Sequence, residues 1–140
     1  MTGPYVDAEA AVKAWVNTLT ADLVGDDNPL TLGAHLHRLR SPYKGCYVRL
    51  LLIGGTPELT PERPMHRARI SGQIYGLTKE ATAVAAVAYA NAVASLAGIP
   101  AVMGSASCLC AADITGPLDA TAGDEPMYLV DADFYLRPAA

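Results

Sequence analysis

The sequence is short of charged residues, of cysteine and of signals for export, and each shortage excludes a class of protein. Charged side chains make up 17 % of the 140 residues, whereas an average soluble domain has about 25 %. The three cysteines are an odd number without the spacing of a disulfide framework. The first residues lack the basic and apolar stretches of a signal peptide. We therefore expect reduced thiols in a cytoplasm and a surface that is partly covered by another subunit.

A long segment without charge is present, but it does not have the character of a membrane span. Residues 81–112 contain no charged side chain. Alanine is only weakly apolar, and Asn91, Ser95 and Pro100 interrupt the segment. We predict that it is buried protein and that the chain makes no membrane contact.

Charge is distributed unevenly along the chain. Residues 38–69 carry seven basic and two acidic side chains, a balance of +5, and the remainder has a balance of −9. The net charge of −4 argues against nucleic acid as the main partner. The uneven distribution is either ordinary solvated charge or the mark of a molecule with one basic and one acidic side. The second interpretation suits head-to-tail contact between copies.

Two segments have the features of helices. Residues 7–24 place apolar side chains at three- and four-residue spacing, with Asp7 as a suitable N-cap. A second helix is predicted after the N-cap Thr78 and ends at Ala97. Apolar side chains surround this second helix, which predicts burial on several sides, against a sheet and against a neighbouring subunit.

Alternation of apolar and polar residues predicts strands over residues 46–53, 68–75, 102–114 and 127–137. Residues 54–67 hold three prolines and two glycines, and proline lacks a donor for the strand ladder. We therefore predict a long loop there, and an irregular arm or short strand over residues 29–44. A turn is predicted at Gly116-Pro117. The order α-β-β-α-β-β predicts a single α+β domain, with an antiparallel or mixed sheet and helices on one face.

No set of residues specifies an active site. Two pairs have the spacing that points both members to one side of a strand, His35 with His37 and Cys108 with Cys110. Structural zinc sites use wider spacing, so buried thiols and interface histidines are the better interpretation. Asp131 and Asp133 also share a strand face, but no motif ties them to a nucleophile. We predict no enzyme, no cofactor and no metal.

Short segments spread over nearly the whole chain match a known family when they are taken together. They are LGA (32–34), LRSPYKG (39–45), ARISGQIYG (68–76), TKEA (78–81), AVAYAN (86–91), TGP (115–117) and YLVDADFYL (128–136). With these segments the chain resembles the tail terminator proteins of long-tailed bacteriophages, in particular those of actinobacterial phages.

The resemblance implies a structural virion protein. Such a protein closes into a hexameric ring that caps the phage tail tube, ends its polymerisation and forms the head–tail joining surface. The implied partners are further copies of the chain, the tail tube protein and a head-side connector or stopper protein, and DNA passes through the lumen without specific binding. Assembly is expected in the bacterial cytoplasm. A neighbouring neck protein of the same phage is one alternative, and a small-molecule-binding regulatory module is another.

Two sets of residues are predicted to make these contacts. Between subunits, we expect basic side chains of one copy to meet acidic side chains of the next, with an apolar contact on the second helix. This first set is Arg38, Arg40, Arg49, Val87, Asp131 and Asp133. The predicted loop is expected to touch the tube or the connector through Glu58, Glu62, Arg63 and Arg67. Acidic side chains that face the lumen would repel DNA.

Overall fold

The computed structural model describes residues 6–19, 28–59, 64–98 and 100–138. The chain has an α+β fold, in which two helices cover one face of a curled, mixed sheet of six strands. The elements are α1 (Ala8–Leu19), β1 (Ala34–His35), β2 (Tyr47–Leu59), β3 (Pro64–Tyr75), α2 (Lys79–Ala94), β4 (Ala101–Met103), β5 (Ala106–Asp119) and β6 (Met127–Pro138).

Both helices begin where their capping residues predict. The amide of Ala10 donates to Asp7 Oδ1 at 3.2 Å, and the amide of Ala81 donates to Thr78 Oγ1 at 3.1 Å. α2 ends at Ala94, before the predicted end, and the predicted end of α1 at residue 24 lies outside the described residues. Neither helix in the described ranges is long and apolar enough to cross a membrane.

The sheet order is β1-β2-β3-β6-β5-β4. β1 runs parallel to β2, and all other neighbours are antiparallel. Even-numbered residues in the middle of β3 and β6, such as Ile70 and Phe134, point to the helices and are fully buried in one core. The odd-numbered residues form the other face, here called the open face, on which neither helix packs. Its central side chains are Arg49, Leu51, Arg67, Arg69, Ser71, Gln73, Leu129, Asp131, Asp133 and Tyr135.

The long loop predicted over residues 54–67 is wrong, because most of this segment is strand. β2 continues to Leu59 and pairs with β3 from Pro64 onward. Beyond Leu50, β2 has no further partner in β1, and proline is tolerated in such an edge strand. A bulge follows Leu52, and Gly55 has φ +125°. A Cβ at Gly55 would lie 2.1 Å from the carbonyl oxygen of Arg67, so glycine allows the two strands to stay paired.

Two further predictions of local structure need correction. The strand predicted over residues 102–114 is divided into β4 and β5 by a turn at Gly104, where φ is +62°. β5 then continues through Gly116-Pro117, where a turn was predicted, and register shifts absorb the irregularity. With β1 and β4 added, the order is α-β-β-β-α-β-β-β. The last predicted strand is confirmed as β6.

Candidate interaction surfaces

Residues 36–45, here called the arm, are fixed over one end of the open face by aromatic rings. The ring of Tyr47 stacks on Tyr75 with a centroid distance of 5.2 Å. Tyr43 meets Tyr47 edge to face at 5.3 Å, and the amide of Leu39 donates to the Tyr47 hydroxyl at 3.0 Å. These contacts bury Tyr47 completely, so the arm is a packed part of the fold.

Glu125 ties the arm to the connection between β5 and β6. Arg38 forms an ion pair with Glu125, and the Tyr43 hydroxyl donates to the same carboxylate. The guanidinium of Arg38 also lies 5.0 Å from the centroid of the Tyr75 ring, within the range of a cation–π contact. Burial and the hydrogen bond to Glu125 raise the pKa of Tyr43. Arg38 therefore already has partners within its own chain.

A cavity of about 400 Å³ lies between the arm, the start of α2 and the β5–β6 connection. This volume is within the range of small-molecule sites. Inside it, however, Arg38, Tyr43 and Glu125 bond to one another. The cavity is lined by Arg38, Leu39, Ser41, Tyr43, Gly76, Leu77, Asp124, Glu125 and Pro126.

On the open face, Asp133 is also paired within the chain. Its Oδ1 lies 3.3 Å from Arg69 Nη1, and the Asp133 residue is only 6 % exposed. Arg69 donates further to the carbonyl oxygen of Asp113 at 3.2 Å and to Thr115 Oγ1 at 3.3 Å. The guanidinium thus joins β3 to β6 and β5.

Arg49 and Asp131 lie on the same face, with β3 between their strands. Arg49 Nη1 donates to Gln73 Oε1 at 3.3 Å. Asp131 is opposite Ser71 in the ladder, and its buried Oδ1 accepts no hydrogen bond within the described residues. Two strand spacings separate the two backbones by about 10 Å. The structure therefore brings these predicted residues to one surface without pairing them.

The outer side of α2 is apolar and exposed. Val84 and Val87 are 59 % and 50 % exposed, although the opposite side of the helix is buried in the core. A shallow groove of about 350 Å³ follows these residues, and its lining includes Ala83, Ala88 and Asn91. Among the residues that the structure describes, α2 is covered on its sheet side alone, so the predicted burial on several sides would need a further subunit.

The remaining predicted contact residues lie in different settings. Arg40 is exposed on the arm, and no ion pair of the described chain includes it. Glu58 is in β2 opposite Met65, whereas Glu62 and Arg63 lie outside the described residues. Arg67 is not in a loop, because it lies in β3 between Thr56 and Tyr135.

The histidine pair and the cysteine pair lie in different parts of the sheet, because His35 is in the edge strand β1 and both cysteines are in β5. The rings of His35 and His37 contact each other edge to face with a centroid distance of 5.9 Å. The His35 ring packs against Tyr47 at 5.7 Å, and its Nε2 lies 2.7 Å from the Leu32 carbonyl oxygen. Cys108 is buried in β5, and burial raises the pKa of its thiol to about 11. Among the residues that the structure describes, no three His, Cys, Asp or Glu side chains are grouped to hold a metal ion.

Sequence reasoning missed the cluster of the arm with Glu125. Its members are far apart in the chain. The sequence signal for the cluster is a pair of tyrosines, Tyr47 at the start of β2 and Tyr75 at the end of β3. Comparison with known proteins adds no relative, since no family model, no curated protein and no solved structure matches the chain.

Proposed function

We infer that this protein is a ring-forming structural protein of the tail-terminator type, which closes on the end of a phage tail tube and presents the head–tail joining surface. The observation that carries the inference is the outer side of α2, where Val84 and Val87 are exposed on a helix segment without charge. Exposed apolar surface of this kind marks sites of protein contact. The resemblance of nearly the whole chain to tail terminators gives that contact its biological setting.

The arrangement of surfaces suits a ring rather than a twofold dimer. A ring needs two different patches on each subunit, which meet head to tail. The outer side of α2 lies on the helix side of the sheet, and the arm with Arg40 lies over one end of the open face. These two surfaces are on opposite sides of the sheet, which supports contact between unlike patches of successive copies.

Fewer charged residues are left for the contact between subunits than the sequence predicts. Arg38 and Asp133 have partners within the chain, and Arg49 donates to Gln73. Arg40 and Asp131 have no such partners among the described ion pairs and hydrogen bonds. Both lie on the open-face side of the sheet, so we assign them to the patch that meets the outer side of α2 of the next copy.

Contact with the tail tube or the connector is assigned to the end of the β2–β3 hairpin at which Leu59 pairs with Pro64. Glu58 is one residue from this end, Glu62 and Arg63 lie outside the described residues, and Arg67 lies further along β3 inside the sheet. The net charge of −4 is compatible with a lumen through which DNA slides without specific binding.

Absolute mass in solution, measured by light scattering with and without assembled tail tubes, tests this function. We expect a hexameric ring, formed either by the protein alone or only on tube ends. Electron microscopy of tubes assembled with the protein should show the ring at one end and a restricted tube length. A stable monomer or dimer that ignores tubes would overturn the proposal. Binding to the head side alone would favour the neighbouring neck protein.

Matched variants show which surface makes the ring. Val87→Asp should prevent ring formation, whereas Val102→Asp, a valine that is 78 % exposed on β4, should not. Arg40→Glu should weaken the ring more than Lys44→Glu, which reverses another exposed charge of the arm. All four proteins should keep the wild-type circular dichroism spectrum, and equal effects within a pair would contradict the assigned contact.

The cavity beside the arm favours one other function, a module that binds a small molecule. Its volume of about 400 Å³ is sufficient for such a ligand. This function predicts saturable binding of a ligand by a monomer or small closed oligomer that ignores tubes. The mass measurement therefore separates the two functions.

A further inference from the structure

α1 does more than cover the core, because its polar side chains occupy the outer edge of the sheet. The amide of Leu52 in β2 donates to Glu9 Oε2 at 2.7 Å. The amide of Ala34 in β1 donates to Asn17 Oδ1 at 2.8 Å. Both amides are on the side of these strands where a further strand would bind. Two side chains of one helix therefore each take a hydrogen bond that an added strand would make, Asn17 outside β1 and Glu9 outside the part of β2 that extends beyond β1.

The spacing of the two acceptors matches the spacing of the two amides. Glu9 and Asn17 are eight residues apart, which is about 12 Å along a helix axis. Ala34 is paired with Val48, and the four residues from Val48 to Leu52 span about 13 Å of strand. α1 thus lies beside this edge over the length that it protects.

The same edge has the other features of an association site. In the described chain, β2 has no ladder partner on its outer side beyond Leu50. Leu52 and Ile53 are 42 % and 48 % exposed at the bulge. Edges with unpaired backbone and exposed apolar side chains bind further strands unless a protein covers or interrupts them.

We propose that α1 is an autoinhibitory strap: Glu9 and Asn17 close an edge of the sheet that otherwise takes a strand from a second copy of this chain. The strand offered by the second copy is β5, whose residues 110–112 extend beyond β4, keep a regular register with β6 and have no outer ladder partner in the described structure. Register shifts and Pro117 interrupt the edge after residue 112. β2 and β5 run in opposite directions in the sheet, so copies placed side by side bring them together antiparallel.

Amide hydrogen exchange tests the strap itself. In the Glu9→Ala/Asn17→Ala variant, exchange at Leu52 and Ala34 should become roughly tenfold faster, since each amide loses its acceptor. Glu80→Ala/Asn91→Ala, which makes the same two substitutions on α2, should leave both amides unchanged. Glu9→Gln keeps an acceptor oxygen and should restore slow exchange at Leu52. Unchanged exchange in the strap variant would overturn the proposal, and single Glu9→Ala serves if the double variant is unfolded.

Sedimentation velocity and cross-linking test the partner. The strap variant should form larger species than wild type as its concentration rises, and addition of Ile53→Lys should abolish them. With Ile53→Cys in the strap variant, a bismaleimide should link residue 53 of one copy to the native Cys110 of another. The assignment to β5 would be overturned if the reagent linked residue 53 of one copy only to residue 53 of another. It would also be overturned if the strap variant showed faster amide exchange but the same mass distribution as wild type.

The inference goes beyond the proposed function and does not depend on it. Tail length and tube binding are not measured in these experiments. If the edge stayed closed in the strap variant, the proposal of a ring formed through α2 and Arg40 would be unaffected. If the protein ignored tail tubes, the proposal of an edge closed by α1 would be unaffected.

Discussion

Arg69 and Asp133 face each other across β3 and β6, with 3.3 Å between Nη1 and Oδ1, on a sheet face that neither helix covers. The side chains are 28 % and 9 % exposed, so the pair is largely withdrawn from water. Charges in this setting need a partner, because an isolated buried charge is strongly unfavourable. The pair therefore holds the centre of the open face within one chain and is not available to a neighbour.

We expect Arg69→Met to lower the free energy of unfolding by about 2 kcal/mol, since it leaves the Asp133 carboxylate buried without a counter-charge. Arg69→Met/Asp133→Leu should recover most of this loss, because no unpaired charge remains. Lys79→Met breaks the exposed pair with Asp119 and should have a much smaller effect. Urea unfolding measures all three variants. If Arg69→Met had the stability of wild type, the pair would have no structural role.

Two adjacent glycines test whether residues 54–59 are strand. Gly55 has φ +125°, and a Cβ there would lie 2.1 Å from a backbone oxygen, whereas a Cβ at Gly54 would meet nothing within 4 Å. We expect Gly55→Ala to cost more than about 2 kcal/mol and Gly54→Ala to change stability by less than about 1 kcal/mol. Denaturant unfolding of the two variants gives the comparison. Equal effects would indicate that this segment is not paired to β3.

The sequence predicted the elements whose pattern arises from their own residues. β6 alternates strictly because its two faces meet core and open face, and both helices begin at capping residues, Asp7 and Thr78, that act locally. The prediction of a loop over residues 54–67 is wrong because it takes proline as a barrier to any strand. At the edge of a sheet its missing N–H need not break the ladder, and edge position depends on the whole fold.

The candidate surfaces were less predictable for a related reason. Charge counting placed Arg38 and Asp133 in a contact between copies, but long-range folding supplied partners for both. Arg38 meets Glu125, which is 87 residues away, and Arg69 meets Asp133, which is 64 residues away. No local pattern carries such pairings. The exposure of Val87 follows from the opposite side of α2 being covered, and the sequence alone did not identify the covered side.

The cysteines are expected to differ in reactivity. Cys108 is fully buried, and burial raises the pKa of its thiol to about 11, while Cys110 is partly exposed. At neutral pH, maleimide should modify Cys110 first and leave Cys108 protected, as peptide mass spectrometry can measure. The pKa of the Cys108 thiol is therefore higher in the native state than in the unfolded state, where it is about 8.5. The free energy of unfolding should not depend on this group below about pH 8.5, and it should fall as the pH rises toward 11. Equal labelling of the two thiols would contradict the buried position of Cys108.

The last prediction concerns the arm, which depends on one carboxylate. Glu125→Ala removes the acceptor for both Arg38 and Tyr43, so the arm should detach locally while the core remains folded. We expect faster amide exchange at Leu39, whose amide donates to Tyr47 at 3.0 Å, with little change in global stability because the ion pair is exposed. Asp124→Ala removes the adjacent, exposed acid and is the matched control.

Since Arg40 lies on the arm, Glu125→Ala should also weaken ring formation, although residue 125 itself is not assigned to the contact. An arm that stays protected after Glu125→Ala would show that the ring contacts of Tyr43, Tyr47 and Tyr75 suffice to hold it.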